Sequence, residues 1–142
     1  MSHQNPDHKT LFNLLDRAQT IAVVGASSNP ERPSHGIFRR LLQHGYTVIP
    51  VNPAEAEVLG QKAYASLDDV PVPIDIVDVF RRAVDTPPIA EAAVRVGAKV
   101  LWLQSGISND ETARIATEAG LTVVMDACIA VELSLLGVPP RT

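Results

Sequence analysis

Three serines and an arginine crowd into one early stretch, Gly25-Ala26-Ser27-Ser28-Asn29-Pro30-Glu31-Arg32-Pro33-Ser34. It follows an apolar run and precedes a helical pattern, so it reads as the loop between a buried strand and the helix that the strand feeds. Backbone N–H groups at such a turn and at a helix N-terminus carry partial positive charge, which suits an anion. Ser27, Ser28 and Ser34 add hydroxyl donors, and Arg32 adds a planar guanidinium that matches phosphate oxygens. Phosphate binding is the chemistry this loop predicts. The bland alternative is a connecting loop in which serine and proline only shape turns. Arg39, Arg81 and Arg82 are further candidate cations, and Lys62 lies in an irregular stretch that the pattern does not place.

A dinucleotide such as NAD asks for more. Its fingerprint is G-x-G-x-x-G followed, about 20 residues on, by a carboxylate at the end of the second strand. Here Ser27 stands where the second glycine belongs, and Val51-Asn52-Pro53 closes the second strand without a carboxylate. The loop is nucleotide-like without the marks of NAD.

Other reactive types are scattered. Cys128 can be a thiol poised beside a ligand or a small buried residue, and the second is the commoner fate of a free cysteine. Asp126 and Glu132 read as backbone anchors or partners of a cation before they read as catalytic acids. Asp78 interrupts an apolar strand, which places it near an end or in a hydrogen bond. His35, at the helix start, can contact a phosphate or serve packing. His3, His8 and His44 read as tail or surface residues, and Trp102 as core.

These residues are positioned by alternating elements. Leu11, Leu14, Leu15 and Ala18 make a helical stripe. Ile21–Val24 is a strand. Ser34 can cap a helix with Ile37, Phe38, Leu41 and Leu42 inward and Gly45 as its stop. Tyr46–Val51 is a second strand, and residues 54–73 are irregular with a turn of helix near 66–70. Ile74–Phe80 is a third strand. Thr86-Pro87-Pro88 opens a helix with Ile89, Ala92, Ala93 and Val96 inward. Val100–Leu103 is a fourth strand. Ser108-Asn109-Asp110-Glu111 is a capping box before a helix, and Leu121–Met125 is a fifth strand. Strict alternation with apolar strands predicts an α/β fold: a three-layer Rossmann-like domain, with a parallel sheet of about five strands and helices on both faces. Ligands of such sheets bind at the carboxyl ends of the strands, where the segments after each strand meet.

Composition agrees. The 142 residues are 46% hydrophobic and 20% charged, with a formal net charge of −4. One compact domain spanning 1–142 is expected, with residues 1–9 a frayed polar tail. The acidic balance disfavours nucleic acid or a membrane surface as partner. A single cysteine excludes an internal disulfide and points to the cytoplasm, and it and the four histidines have no metal-ligand spacing. No signal peptide or membrane span is visible.

The string VVGASSNPERPSHGIFRRLLQHGYTVIPVNP, followed by DIVDVFR, WLQSGI and VVMDAC with Glu132 beyond, resembles the small stand-alone CoA-binding proteins. These are similar to the CoA-binding Rossmann domain of the succinyl-CoA synthetase alpha subunit. The resemblance covers residues 10 to 137 and implies coenzyme A or an acyl-CoA as the ligand. It implies that Gly25, Ala26, Ser27, Ser28 and Arg32-Pro33-Ser34 belong to the loop that holds the diphosphate. Val51, Asn52 and Pro53 match the turn beside the adenosine. Phe80 and Arg81 match the segment near the nucleotide, and Gln104, Ser105, Gly106 and Ile107 match the turn bordering the ligand. One departure is Ala127, where the family commonly carries an arginine.

The synthetase reacts through a phosphorylated histidine in a further domain, for which these residues hold no counterpart. No P-loop and no nucleophile–base–acid set is evident. The expectation is a binding module for CoA or a short acyl-CoA without catalytic machinery of its own, acting as carrier, sensor or partner subunit. The alternatives are an NAD(P)-dependent oxidoreductase and a non-catalytic subunit of an acyl-CoA ligase or acetyltransferase complex, in which a protein partner or oligomer completes the assembly.

Overall fold

The computed structural model describes residues 3–141. Five parallel strands form the sheet: β1 (Thr20–Val24), β2 (Thr47–Val51), β5 (Ile76–Val79), β6 (Val100–Leu103) and β7 (Thr122–Val124). Their spatial order is β2-β1-β5-β6-β7, so the chain reverses its direction of travel between β1 and β5. That reversal is the switch point at which open α/β sheets take their ligands.

Side chains alternate across the strands, and the two sets make two cores. On one face Ile21, Val23, Val48, Ile76 and Trp102 pack beneath α1 (His8–Arg17), α2 (Pro33–Gln43) and α5 (Ile129–Leu136). On the other face Ala22, Val24, Val77, Leu101 and Leu103 meet α3 (Thr86–Arg95) and α4 (Asp110–Glu118), whose inward residues are the small Ala90, Ala93, Ala113 and Ala116. Trp102 is fully buried, and its indole N–H donates to the Ala127 carbonyl at 2.8 Å. The Rossmann-like sheet read from the sequence is therefore the observed one.

Several local readings are corrected. Helix α2 begins at Pro33, with Arg32 at its cap, so Ser34 sits buried inside the first turn. Proline's fixed φ and missing N–H suit that first position better than any alternative there. At α4 Asn109, not Ser108, accepts from the Thr112 N–H at 2.9 Å, and Glu111 pairs instead with Arg114. The third sheet strand is shorter than Ile74–Phe80: the ladder pairs only Ile76–Val79, and Ile74 is buried just before it starts. Residues 54–73 include a small antiparallel pair, β3 (Glu57–Val58) with β4 (Gln61–Lys62). The polar start is tied down where a frayed tail is expected. Asp7 caps α1 through the Thr10 N–H, and Asn5 exchanges two side-chain hydrogen bonds with the Met125 backbone. Residues 1 and 2 of that expected tail lie outside the described residues.

Candidate functional site

The loop after β1 is fixed by its own bonds. Gly25 has φ +90°, a conformation that side chains rarely adopt, and a Cβ there would collide with the Phe80 carbonyl oxygen. Its N–H donates to Val51 O at 2.9 Å. The lone glycine is thus required where β1, β2 and β5 end side by side. Ala26 is buried, and its carbonyl accepts from Asn52 Nδ2 at 2.9 Å, which joins this loop to the turn after β2. The Asn29 N–H donates to Ser27 Oγ. His35 is buried rather than presented to solvent. Its Nδ1 meets Ser27 O at 3.0 Å and its Nε2 meets the Arg39 guanidinium at 3.3 Å. An Nδ1–H tautomer, with Nε2 accepting from Arg39, satisfies both contacts. His35 therefore clamps the loop to α2.

Glu55 reaches back across the opening. Its carboxylate accepts from the Ser28 N–H and the Ser28 hydroxyl, each at 2.8 Å. Those two bonds hold its carboxyl below the usual range. Glu55 stands four residues beyond β2, past the position at which a ribose-binding carboxylate is sought in the sequence.

The far wall comes from two turns tied to each other. Gly106 has φ +80° and its N–H donates to Asp126 Oδ1 at 2.6 Å, while the Asp126 N–H donates to Ile107 O at 3.0 Å. Asp126 itself adopts φ +54°, so it anchors backbone at a bend rather than offering its carboxylate to a ligand. Beneath this wall lie Asp78, fully buried, and Gln104, 3% exposed. Gln104 Nε2 donates to Asp78 Oδ1. Burial pushes the Asp78 carboxyl up to about 7, against the opposing effect of the Gln104 bond.

These parts enclose a cleft of about 730 Å³ at the β1–β5 switch point. Of the residues singled out in the sequence, Gly25, Ser27, Arg32, Pro33, Ser34, Asn52, Phe80, Arg81, Gln104, Ser105 and Ile107 line it. Ala26, Ser28, Val51, Pro53 and Gly106 do not. Ala26 is buried under the loop, Ser28 faces Glu55, and Gly106 faces Asp126. Val51 and Pro53 instead line a smaller apolar slot of about 240 Å³, and Arg81 borders both spaces. Arg82 also lines the cleft, although its guanidinium is exposed and pairs with Asp85 at 3.0 Å. Arg39 is spent on His35, and Lys62 lies 5.3 Å from the centre of the Tyr64 ring, so neither lines the cleft. Ile37, Ala54 and Glu55 line it without having been assigned to it from sequence. Cys128 completes the lining and is only half-buried, which corrects the preferred reading of it as a small buried residue in favour of the alternative, a thiol beside a ligand. Cys128 sits there as the N-cap of α5, within the segment that follows β7. His44 is buried against Tyr46 and contacts Arg40, which corrects its reading as a surface residue. Among the described residues no cluster of His, Cys, Asp and Glu is arranged to hold a metal, and no helix is long and apolar enough to cross a membrane.

Comparison with known proteins bears on this cleft. A family model described as a CoA binding domain matches residues 19–134. The uncharacterized protein YneT of Bacillus subtilis is 44% identical over 128 residues, which span 90% of this chain and 95% of that one. A hypothetical protein from Pyrococcus horikoshii OT3 has a similar solved structure, with a TM-score of 0.90, 40% identity, and coverage of 96% of this chain and 99% of that one. The alpha subunit of the ADP-forming acetate–CoA ligase II of Pyrococcus furiosus is 31% identical over 123 residues, 78% of this chain but only 27% of the subunit. The chain thus spans about a quarter of that larger relative.

Proposed function

The chain belongs to the CoA-binding domain family, and from that premise we propose that it holds coenzyme A or a short acyl-CoA in the switch-point cleft. The observation that carries this reading is the set of Arg32, Arg81 and Arg82 on the lining of one cleft in a chain of net charge −4. CoA carries a diphosphate and a 3′-phosphate, so it needs several cations together with N–H donors. Arg32, Ser27, Ser34 and the N-terminus of α2 supply these for the diphosphate, with Gly25, Ala26 and Ser28 shaping the loop. Asn52, Phe80 and Arg81 take the adenosine side, with Val51 and Pro53 in the adjoining slot that Arg81 also borders. Gln104, Ser105 and Ile107 border the remainder of the ligand, and Gly106 holds their turn to Asp126. The cleft volume of about 730 Å³ lies within the roughly 300–1,000 Å³ of small-molecule sites.

In this reading residues 1–142 act as one binding module of the cytoplasm, without a reaction of their own. The similarity to 27% of a ligase alpha subunit suits a carrier, a sensor or a subunit that presents the ligand to a protein partner. A second reading, an NAD(P)-dependent oxidoreductase, draws on Glu55, a carboxylate that lines the cleft just beyond β2. Calorimetric titration of ligand-free protein with CoA, acetyl-CoA, NAD and NADP separates the two. Saturable binding of CoA or acetyl-CoA with silence toward NAD and NADP is the expected result. Tight binding of either nicotinamide nucleotide would replace the CoA reading with the second.

A further inference from the structure

We propose that Asp78 is a neutral acid that shares its proton with the Gln104 side-chain carbonyl, and that this closed pair fixes Gln104 as an oriented N–H donor in the cleft. Asp78 occupies the central strand, between Val23 of β1 and Trp102 of β6. The Gln104 amide donates to its Oδ1. Of the three buried side-chain polar atoms without a hydrogen-bond partner among the described residues, one is His44 Nε2 and the other two are Asp78 Oδ2 and Gln104 Oε1. The latter two belong to the same two side chains. An ionised Asp78 would leave both of them, and a negative charge, unanswered in a dry interior. One proton on Oδ2 turns that acceptor into a donor and satisfies Oε1 as well, which closes a cyclic acid–amide pair.

The surroundings favour the neutral form. Beside Val23 and Trp102, the helices over this face bring Phe38 from α2 and Ile129 from α5 into the same core. The titratable groups of those elements are His35, Arg39 and Arg40 on α2, and Cys128 and Glu132 at the start of α5. Among the described residues none of them makes a hydrogen bond or ion pair with Asp78. His35 and Arg39 are engaged with Ser27 and each other, and Arg40 with His44. With Oδ1 and Oδ2 both used, the pinned amide keeps its second Nε2–H for a carbonyl or phosphate oxygen of a ligand. Asp78 is then a positioning residue that acts through Gln104. This last step rests on the CoA reading, whereas the pair itself does not.

The Asp78→Asn variant tests the proposal, because an amide can close the same ring without a titrating proton. Thermal unfolding of ligand-free wild type and variant is followed between pH 5 and 8. A carboxyl whose folded pKa is raised stabilises the fold at low pH, and that contribution fades as pH rises from the unfolded value of 3.8 through about 7. The melting temperature of wild type is therefore expected to fall against that of the variant by at least about 5 °C over this range. A gap that stays flat, or that grows in favour of wild type, would overturn the neutral acid. Titration with CoA at pH 6 and 8 then reads the positioning. Wild-type affinity is expected to drop about 5-fold more than the variant's, since loss of one oriented hydrogen bond is of that order. Parallel profiles would overturn the positioning role. Absence of CoA binding by wild type would defeat the functional reading and leave the unfolding result to judge the pair.

Discussion

At Gly25 one residue type is dictated by a neighbour's backbone. With φ +90° and the Phe80 carbonyl where a Cβ would go, Gly25→Ala is expected to lower stability by about 2 kcal/mol or more, read by urea unfolding. Gly36 offers the control, because it lies within α2 with nothing near its Cβ position. Gly36→Ala should be neutral or stabilising by up to about 1 kcal/mol. Equal losses at both sites would remove the steric argument. The arginines carry the ligand claim. Arg32→Ala and Arg81→Ala are each expected to weaken CoA binding by about 10-fold or more, as loss of a charge-assisted bond implies. Calorimetry on folded variants checks this, and unchanged affinity for both would leave the phosphates without cations. At this scale the sequence marks Gly25 and Arg32 by their place after a strand. It hides why Gly25 is there, because the Phe80 carbonyl approaches from 55 residues away. Asp78 is visible as a polar interruption, but its partner Gln104 lies in the turn just beyond β6, and no periodicity pairs the two.

Among elements, the loop after β1 is positioned by bonds that cross from its neighbours. His35 holds it to α2, Asn52 holds it to the turn after β2, and Glu55 clasps Ser28. The Glu55 clasp has a sign in pH. The Ser28 bonds lower the Glu55 pKa, so the clasp is intact above the ordinary value of 4.5 and is released as pH falls through the lowered one. The Ser28 amide resonance should therefore titrate with a midpoint below 4.5, and Glu55→Gln should abolish that titration. A midpoint at or above the ordinary value would show that the clasp does not form. The strands and helices α1 to α4 were legible because each has either a short apolar run or a one-sided stripe bounded by glycine or proline. Helix α5 was not, because Ile129–Leu136 is apolar nearly all round and shows no stripe. Such a helix packs on α1 and α2 and ends at Gly137, with φ +68°. The β3–β4 pair was missed because strands of two residues carry no alternation to read.

For the whole molecule, strand order decides where these pieces converge. The order β2-β1-β5-β6-β7 sends α2 and α3 to opposite faces, and the gap that opens between the ends of β1 and β5 gathers segments far apart in the chain. The alternation of elements predicts such an edge but not its shape. The bends at Asp126 and Gly106 come from contacts between turns, and they decide which candidates reach the cleft and which face the protein instead. A second cavity of about 440 Å³ lies at the opposite edge of the sheet, lined by Arg17, Lys99 and Asp75, the last two paired at 3.4 Å, and it is another place a ligand can enter. Hydrogen-exchange mass spectrometry with and without saturating CoA separates the two edges in one measurement. Slower exchange confined to residues 25–34, 52–55, 80–82 and 104–107 is the expected result. Protection around Arg17 and Lys99 instead, with those four segments unchanged, would contradict the assignment of the switch-point cleft as the CoA site.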